Sequence, residues 1–259
     1  MRILARDDAI QMLNKVPEVT LYFWIIKIMA TTVGETGADF LNFDLNFGLT
    51  GTSVFMAGLL VVFLFMQLRS RKYVPWLYWV NVVLISILGT LITDNLVDNF
   101  GVALEMTTAG FGLALLVTFA LWYASERTLS IHSIFTTRRE LFYWVAILFT
   151  FALGTAAGDL VAESMKLGYA NSALMFGTMI VAVTIAYYGF KANAVLAFWI
   201  AYILTRPLGA SCGDWLSQPI ANGGLGLGTV TTSLIFLLTI LGLVVFLSVT
   251  RKDVTPRTA

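Results

Sequence analysis

Long runs of apolar residues, separated by short polar segments, recur eight times along the chain. Each run approaches or exceeds the roughly 20 residues that an α-helix needs to cross a bilayer. The pattern therefore predicts an all-α polytopic membrane protein with eight transmembrane helices. The predicted spans are residues 17–42, 48–68, 74–98, 103–124, 141–165, 170–190, 192–216 and 226–249.

A second pattern lies inside the odd-numbered spans. Each contains an aromatic residue followed by tryptophan, then a glycine, then an aspartate, in the register [FY]-W-x9-G-x4-D. The four copies contain Trp24, Gly34 and Asp39; Trp79, Gly89 and Asp94; Trp144, Gly154 and Asp159; and Trp199, Gly209 and Asp214. Because four of the seven tryptophans hold this register, chance is a poor explanation, and we interpret the pattern as an internal repeat.

The spacing of the aspartates indicates how the repeat arose. Asp39 and Asp94 are 55 residues apart, as are Asp159 and Asp214, whereas Asp94 and Asp159 are 65 apart. A helical hairpin of two spans was therefore duplicated, and the pair was duplicated again. The predicted halves are residues 1–128 and 129–259, and the extra residues lie in the loop between them. An even number of spans per unit makes all four hairpins parallel, which predicts pseudo-fourfold (two-by-two) symmetry.

The first unit, "KVPEVTLYFWIIKIMATTVGETGADF" (Lys15 to Phe40), resembles a bacterial family of membrane-anchored proteins built from a short repeat of unknown function. The resemblance extends over all four units and implies the same repeat count. It implies no particular activity, so the function has to be inferred from the residues of the site.

Composition excludes several classes of protein. The chain is 58% hydrophobic and 12% charged, whereas about 25% of the residues of a soluble domain are charged. A single cysteine, Cys212, and a single histidine, His132, cannot build a disulfide framework, a zinc finger or a haem site. No nucleophile–base pair or phosphate loop is present either. We therefore expect no enzymatic activity, no cofactor and no nucleic-acid partner.

Basic residues predict the orientation in the membrane. They cluster before span one, in every second loop and after span eight, whereas Lys166 is the only basic residue in the opposite loops. The clusters contain Arg2, Arg6 and Lys15; Arg69, Arg71 and Lys72; Arg127, Arg138 and Arg139; Lys191; and Arg251, Lys252 and Arg257. The positive-inside rule then puts both termini in the cytoplasm. With no cleavable signal peptide at the N-terminus, we expect a multi-pass protein of the bacterial inner (cytoplasmic) membrane.

Carboxylates are the candidate chemistry. Acidic residues within spans are costly and usually face the bundle interior. Several here stand one helical turn apart near helix C-termini, where like charges and the macrodipole both disfavour them. The candidate ion-binding residues are Glu35, Asp39, Asp94, Asp98, Asp159, Glu163 and Asp214. A bound cation or bound protons would relieve the repulsion, whereas the alternative is a structural role in capping or buried hydrogen bonding.

Three other groups of residues accompany the carboxylates. The motif glycines fit close helix packing, with a local helix break that frees carbonyl groups as the alternative. The motif tryptophans fit either an aromatic gate or an interfacial aromatic belt. Lys27 and Arg206 lie within spans, where we interpret them as counter-charges that neutralise the carboxylates of the unloaded site; snorkelling to the interface is the alternative.

These features favour a membrane transporter for a small cation. Oxygen ligands suit a divalent metal such as manganese, exchanged for protons, and the expected metal ligands are Glu35, Asp39, Asp94, Asp159 and Asp214. The partners would be the lipid bilayer, the cation and protons, and a homo-oligomer is compatible with the sequence. The alternatives are a pseudo-tetrameric cation channel and a structural or sensory membrane protein that transports nothing.

Overall fold

The computed structural model of the chain describes residues 14–45 and 47–254. Within these residues the regular structure is entirely helical. The eight α-helices are α1 (Leu21–Asp39), α2 (Gly48–Arg69), α3 (Pro75–Asp94), α4 (Leu104–Glu126), α5 (Thr137–Asp159), α6 (Tyr169–Phe190), α7 (Ala194–Ser217) and α8 (Thr229–Thr250). Short π-helical turns follow α1, α3 and α5, at Phe40–Asp44, Asn95–Asn99 and Leu160–Ser164.

Several helices begin where the sequence supplies a side-chain cap or a proline. Thr20 Oγ1 accepts a hydrogen bond from the amide of Phe23, at 3.3 Å, and starts α1. Asn193 Oδ1 accepts from the second and third amides after it, at 3.0 and 3.1 Å, and starts α7. Pro75 occupies the first turn of α3, where its missing N–H is not needed. These caps shift the predicted helix bounds by only a few residues.

The start of α5 differs from the prediction. Thr136 Oγ1 accepts from the amide of Arg139 at 3.3 Å, so the helix begins at Thr137 rather than at 141. Arg138 and Arg139, predicted to lie in the loop between the halves, are therefore in the first turn of α5. Arg2, Arg6 and Arg257, which contributed to the orientation prediction, lie outside the described residues.

Seven of the described helices, α2 to α8, are long and apolar enough to cross a membrane. This supports a multi-pass membrane protein. α1 has similar length but carries Lys27, Glu35 and Asp39 within its nineteen residues. Lys27 and Glu35 lie well inside α1, which lowers the apolar character of the segment.

The four odd-numbered helices form the inside of the bundle and are called the inner helices below. Each packs along the next one, α1 on α3, α3 on α5 and α5 on α7, and α7 returns to pack on α1. The even-numbered outer helices pack against them and leave many large apolar side chains exposed, such as Phe65 on α2 and Leu238 on α8. This is the arrangement expected when lipid surrounds the outer helices.

The outer helices pack in an order that the sequence did not predict. α2 packs mainly on α3, α4 on α5, α6 on α7, and α8 on α1. Each predicted hairpin is therefore open, because its second helix packs on the first helix of the following repeat. The repeats interlock around the bundle as a result.

The motif glycines lie where two inner helices come closest. A Cβ atom added to Gly89 would stand 2.7 Å from Cβ of Phe151 and 3.1 Å from the backbone nitrogen of Ala152. The corresponding contacts join Gly34 to Ser86, Gly154 to Arg206, and Gly209 to Thr31. In all four, the contacted residue lies three positions before the glycine of the next repeat. A side chain at these positions would push neighbouring inner helices apart.

A buried polar network ties the two halves together at the end of the bundle that carries the motif tryptophans. Lys15 Nζ lies 2.6 Å from Glu140 Oε2 and donates to the carbonyl of Leu68 at 3.0 Å. Gln67 Nε2 donates to the other carboxylate oxygen of Glu140 at 3.1 Å. The segment before α1 is thereby anchored to α2 and to the start of α5. Since both charges are buried, losing one partner would leave the other uncompensated.

Candidate ion-binding site

The candidate site is built on one stripe of each inner helix. Residues four apart lie on the same helix face. On α1 this stripe runs through Phe23, Lys27, Thr31, Glu35 and Asp39, and its first four members are buried. The repeat register gives α3, α5 and α7 equivalent stripes, each ending at its motif aspartate.

Three carboxylates converge at one end of these stripes. One carboxylate oxygen from each of Glu35, Asp159 and Asp214 lies within 4.8 Å of the others, and we call these residues the carboxylate triad. α1, α5 and α7 contribute one member each. Glu35 and Asp214 are buried and Asp159 is half-buried. In the described part of the chain this is the one such group of acidic, histidine or cysteine side chains close enough to share a metal ion.

Arg206 lies beside the triad and contacts every inner helix. From α7, its guanidinium donates to Glu35 Oε2 at 3.0 Å and to the carbonyl of Thr31 at 3.0 Å on α1. It also donates to the hydroxyl of Thr155 on α5, at 2.7 Å, and to that of Thr90 on α3. The side chain is fully buried, and among the described residues Glu35 is the one acid that forms a salt bridge with it. The role of Arg206 as a counter-charge in an unloaded site stays a prediction, for which this ion pair supplies the contact.

Thr90 and Thr155 are site residues that the sequence analysis missed. Each follows a motif glycine directly, which is the position that Glu35 occupies in the first repeat. Thr90 Oγ1 also lies 3.4 Å from Glu35 Oε2 and 3.5 Å from Thr155 Oγ1. Aligning the residue after each glycine would have identified both threonines.

Lys27, predicted to be a second counter-charge, does not contact the carboxylates of the triad in this structure. Its Nζ lies 3.9 Å from the ring centroid of Phe151 and 4.2 Å from that of Tyr202. The amine is buried and has no hydrogen-bond partner among the residues that the structure describes. Lys27 precedes Glu35 by eight residues, about 12 Å of helix, which explains why it reaches the aromatic rings and not the acids.

The other predicted ion-binding residues lie outside the triad. Asp39 and Asp94 are half-buried at the register of Asp159, but they are not part of the group within 4.8 Å. Asp98 and Glu163 are exposed, and Glu163 accepts a hydrogen bond from the hydroxyl of Tyr169 at 3.1 Å. Both exposed residues follow the motif aspartate by four positions, within a π-helical turn. The i to i+5 bonding of that turn rotates them away from the face that four-residue spacing would give in an α-helix.

Comparison with known proteins defines the repeat unit. A family model described as Repeat of Unknown Function (DUF347) matches the chain four times, at residues 22–73, 77–128, 142–193 and 197–253. The chain belongs to this family. The predicted fourfold repeat is thus confirmed, and each DUF347 repeat consists of one inner and one outer helix. Searches of curated proteins and of solved structures returned no match.

The ends of the inner helices distinguish the fourth DUF347 repeat from the others. In the first three repeats the motif aspartate is the last α-helical residue, and a π-helical turn follows it. In the fourth, α7 continues past Asp214, and the amide of Gln218 donates to the Asp214 carbonyl at 2.8 Å. π-helical turns are frequent at functional sites. A local helix break was one interpretation of the motif glycines. In the structure the irregular turns of the first three repeats come directly after the motif aspartates.

The aromatic–tryptophan pairs close the other end of the bundle. In each DUF347 repeat the residue before the tryptophan contacts the tryptophan of the next repeat, with ring centroids 5.5 to 6.3 Å apart. The four contacts are Phe23–Trp79, Tyr78–Trp144, Tyr143–Trp199 and Phe198–Trp24. It is the residue before the tryptophan, not the tryptophan itself, that shares the stripe of the site. The tryptophans proposed as a gate therefore lie between neighbouring inner helices, and the hydroxyls of Tyr78 and Tyr143 meet at 2.5 Å.

Proposed function

We propose that this protein is a membrane transporter for a small cation, most simply a divalent metal such as manganese exchanged for protons. The observation that carries the proposal is the carboxylate triad, in which three different repeats bring acidic oxygens within 4.8 Å of one another. Like charges at that distance repel strongly in a partly buried site. A bound cation or bound protons would compensate them, so the same acids can exchange one for the other.

The ligand chemistry favours a hard divalent ion. Carboxylate and hydroxyl oxygens suit Mn²⁺, Mg²⁺ and Ca²⁺, whereas soft ions such as Cu(I) prefer sulfur. The three ionised acids carry three negative charges and Arg206 carries one positive charge. A divalent ion would neutralise the remaining two charges. A monovalent ion would leave the site one charge short of balance.

The proposal includes an arrangement in the membrane. All eight helices would cross the bilayer, because α1 packs between α3 and α7 along the inside of the bundle. The inner helices would be related by pseudo-fourfold symmetry, which the cyclic order of glycine contacts and aromatic pairs supports. The triad would face the extracytoplasmic side and both termini the cytoplasm of the bacterial inner membrane. The basic residues of the loops support that orientation.

The packing beneath the triad favours a carrier over the alternative of a channel. Along the stripes, the fully buried side chains of Arg206, Phe151, Tyr202 and Lys27 follow the triad toward the tryptophan end. A conducting pore needs a continuous polar path. Filled packing with two cations inside it instead fits a carrier that exposes its site to one side at a time.

Transport by reconstituted protein tests the proposal. Proteoliposomes should take up Mn²⁺ when a proton gradient is imposed, and uptake should saturate with Mn²⁺ concentration. Asp159→Asn and Asp214→Asn should abolish uptake, whereas Asp98→Asn, a matched change of an exposed acid, should not. Absence of Mn²⁺, Mg²⁺ and Ca²⁺ uptake under any proton gradient would refute the transporter. Ohmic single-channel currents would favour the channel.

A further inference from the structure

The feature that remains unused is the buried amine of Lys27. No acceptor among the described residues bonds it, and the rings of Phe151 and Tyr202 hold it at 3.9 and 4.2 Å. Such a cage stabilises a desolvated cation, but it offsets only part of the cost of burying an ammonium. The neutral amine is therefore accessible, whereas a salt bridge would fix the charge.

Arg206 connects this amine to the carboxylate triad. Its guanidinium carbon lies 5.8 Å from the centroid of the same Phe151 ring that Lys27 covers. Arg206 pairs with Glu35, itself a member of the triad. A divalent ion on the triad would compete with Arg206 for Glu35, and the positive charge beside Lys27 would then be less compensated. Coulomb repulsion from Arg206 would then disfavour the charged form of the Lys27 amine.

We propose that Lys27 is the proton-exchanging group of the transport cycle, which releases its proton to solvent when a divalent cation binds the triad. When the cation leaves, Glu35 returns to Arg206 and Lys27 takes a proton back. This inference rests on the proposed function and adds to it a residue for the proton half of the exchange.

Other titratable and charged groups face the same region and enter the test. Glu35 lies two turns further along α1, and Tyr202 and Arg206 come from α7. The hydroxyls of Tyr78 on α3 and Tyr143 on α5 meet one turn nearer the tryptophan end. Outer helix α8, which also packs on α1, carries no charged residue. Among the described residues that face this region, the Lys27 amine and the Tyr202 hydroxyl both have no hydrogen-bond partner, and of these two only the amine becomes a cation on binding a proton.

Calorimetry on the full chain in detergent tests the inference. Mn²⁺ is titrated into the protein at several pH values between 6 and 9, in buffers of different ionisation enthalpy, which gives the number of protons released per ion. Lys27→Met should bind Mn²⁺ and release about one proton fewer than the wild type. Lys27→Arg, whose charge is permanent, should also release about one proton fewer per Mn²⁺ than the wild type, and it should bind Mn²⁺ more weakly. Lys166→Met, a change of an exposed lysine, is the matched control.

The outcomes separate this inference from the proposed function. If folded Lys27→Met releases as many protons as the wild type at every pH, or no longer binds Mn²⁺, the role of Lys27 is wrong while the triad can still be the cation site. If Lys27→Met does not fold, Lys27→Arg decides by the same proton count. If the wild type itself binds no divalent ion, the proposed function fails and this inference fails with it.

Discussion

The ion pair of Arg206 and Glu35 offers the most quantitative test of the site. Both side chains are buried, at 0% and 8% exposure, and their closest atoms are 3.0 Å apart. Removing one partner of a buried pair leaves the other uncompensated and costs about 3–5 kcal/mol. In Arg206→Met the loss of its hydrogen bonds to Thr31 and Thr155 adds about 1 kcal/mol for each bond.

The double variant should recover part of this loss. In Arg206→Met with Glu35→Gln no charge of the pair remains buried alone. We therefore expect it to be about 2 kcal/mol more stable than the sum of the single changes implies, within the range of coupling energies for groups in direct contact. The charged pair Arg138 and Glu126 is the control, since their atoms are 3.7 Å apart and the arginine is 71% exposed. Because Arg138 is exposed and Glu126 also pairs with Arg139 at 2.8 Å, the coupling of the control pair should be below about 1 kcal/mol.

Reversible unfolding in mixed SDS micelles, with EDTA present and followed by tryptophan fluorescence and circular dichroism, measures these free energies. Coupling close to zero between Arg206 and Glu35 would refute the buried pair. A coupling at the control pair as large as that at Arg206 and Glu35 would show that the assay does not report burial.

Two further changes probe other parts of the molecule. Gly89→Val should destabilise the protein by about 1–3 kcal/mol, because its Cβ would stand 2.7 Å from Cβ of Phe151. Gly58→Val, at a glycine with open space around it, is the control and should not destabilise the protein. Equal thermal stability of the two variants would contradict the close approach of the helices. Burial raises the pKa of Asp253 above its usual value, although Tyr73 donates a hydrogen bond to it at 2.6 Å. The folded state then holds its proton to higher pH than the unfolded state, so the free energy of unfolding should fall as pH rises from about 4. In thermal melts at several pH values, Asp253→Asn should reduce the loss of stability with rising pH. A wild-type stability that does not fall with rising pH would contradict the effect of burial on Asp253.

Much of the architecture could be predicted because it follows from local chemistry. Apolar runs place the helices, and Thr20, Pro75 and Asn193 set three of their starts. The repeat register brought Asp159 and Asp214 to the same end of the bundle. These features depend on neighbouring residues in the chain, which the sequence displays directly.

The contacts of the site could not be predicted, because they depend on which helices pack against each other. The guanidinium of Arg206 reaches Glu35 across 171 positions of sequence, and Lys15 reaches Glu140 across 125. Nothing in the local pattern of either residue identifies its partner. Lys27 could not be assigned for the same reason, since its aromatic neighbours come from α5 and α7. The open hairpins are likewise a property of packing between repeats.

The central claim is that Glu35, Asp159 and Asp214 form a single cation site. Calorimetric titration of the purified protein with Mn²⁺ tests it most directly. The account predicts saturable binding of about one ion per chain, weakened at least about tenfold by Glu35→Gln, Asp159→Asn or Asp214→Asn and unchanged by Asp98→Asn. Absence of binding at every pH from 5 to 9, or binding that all three triad variants leave intact, would contradict it.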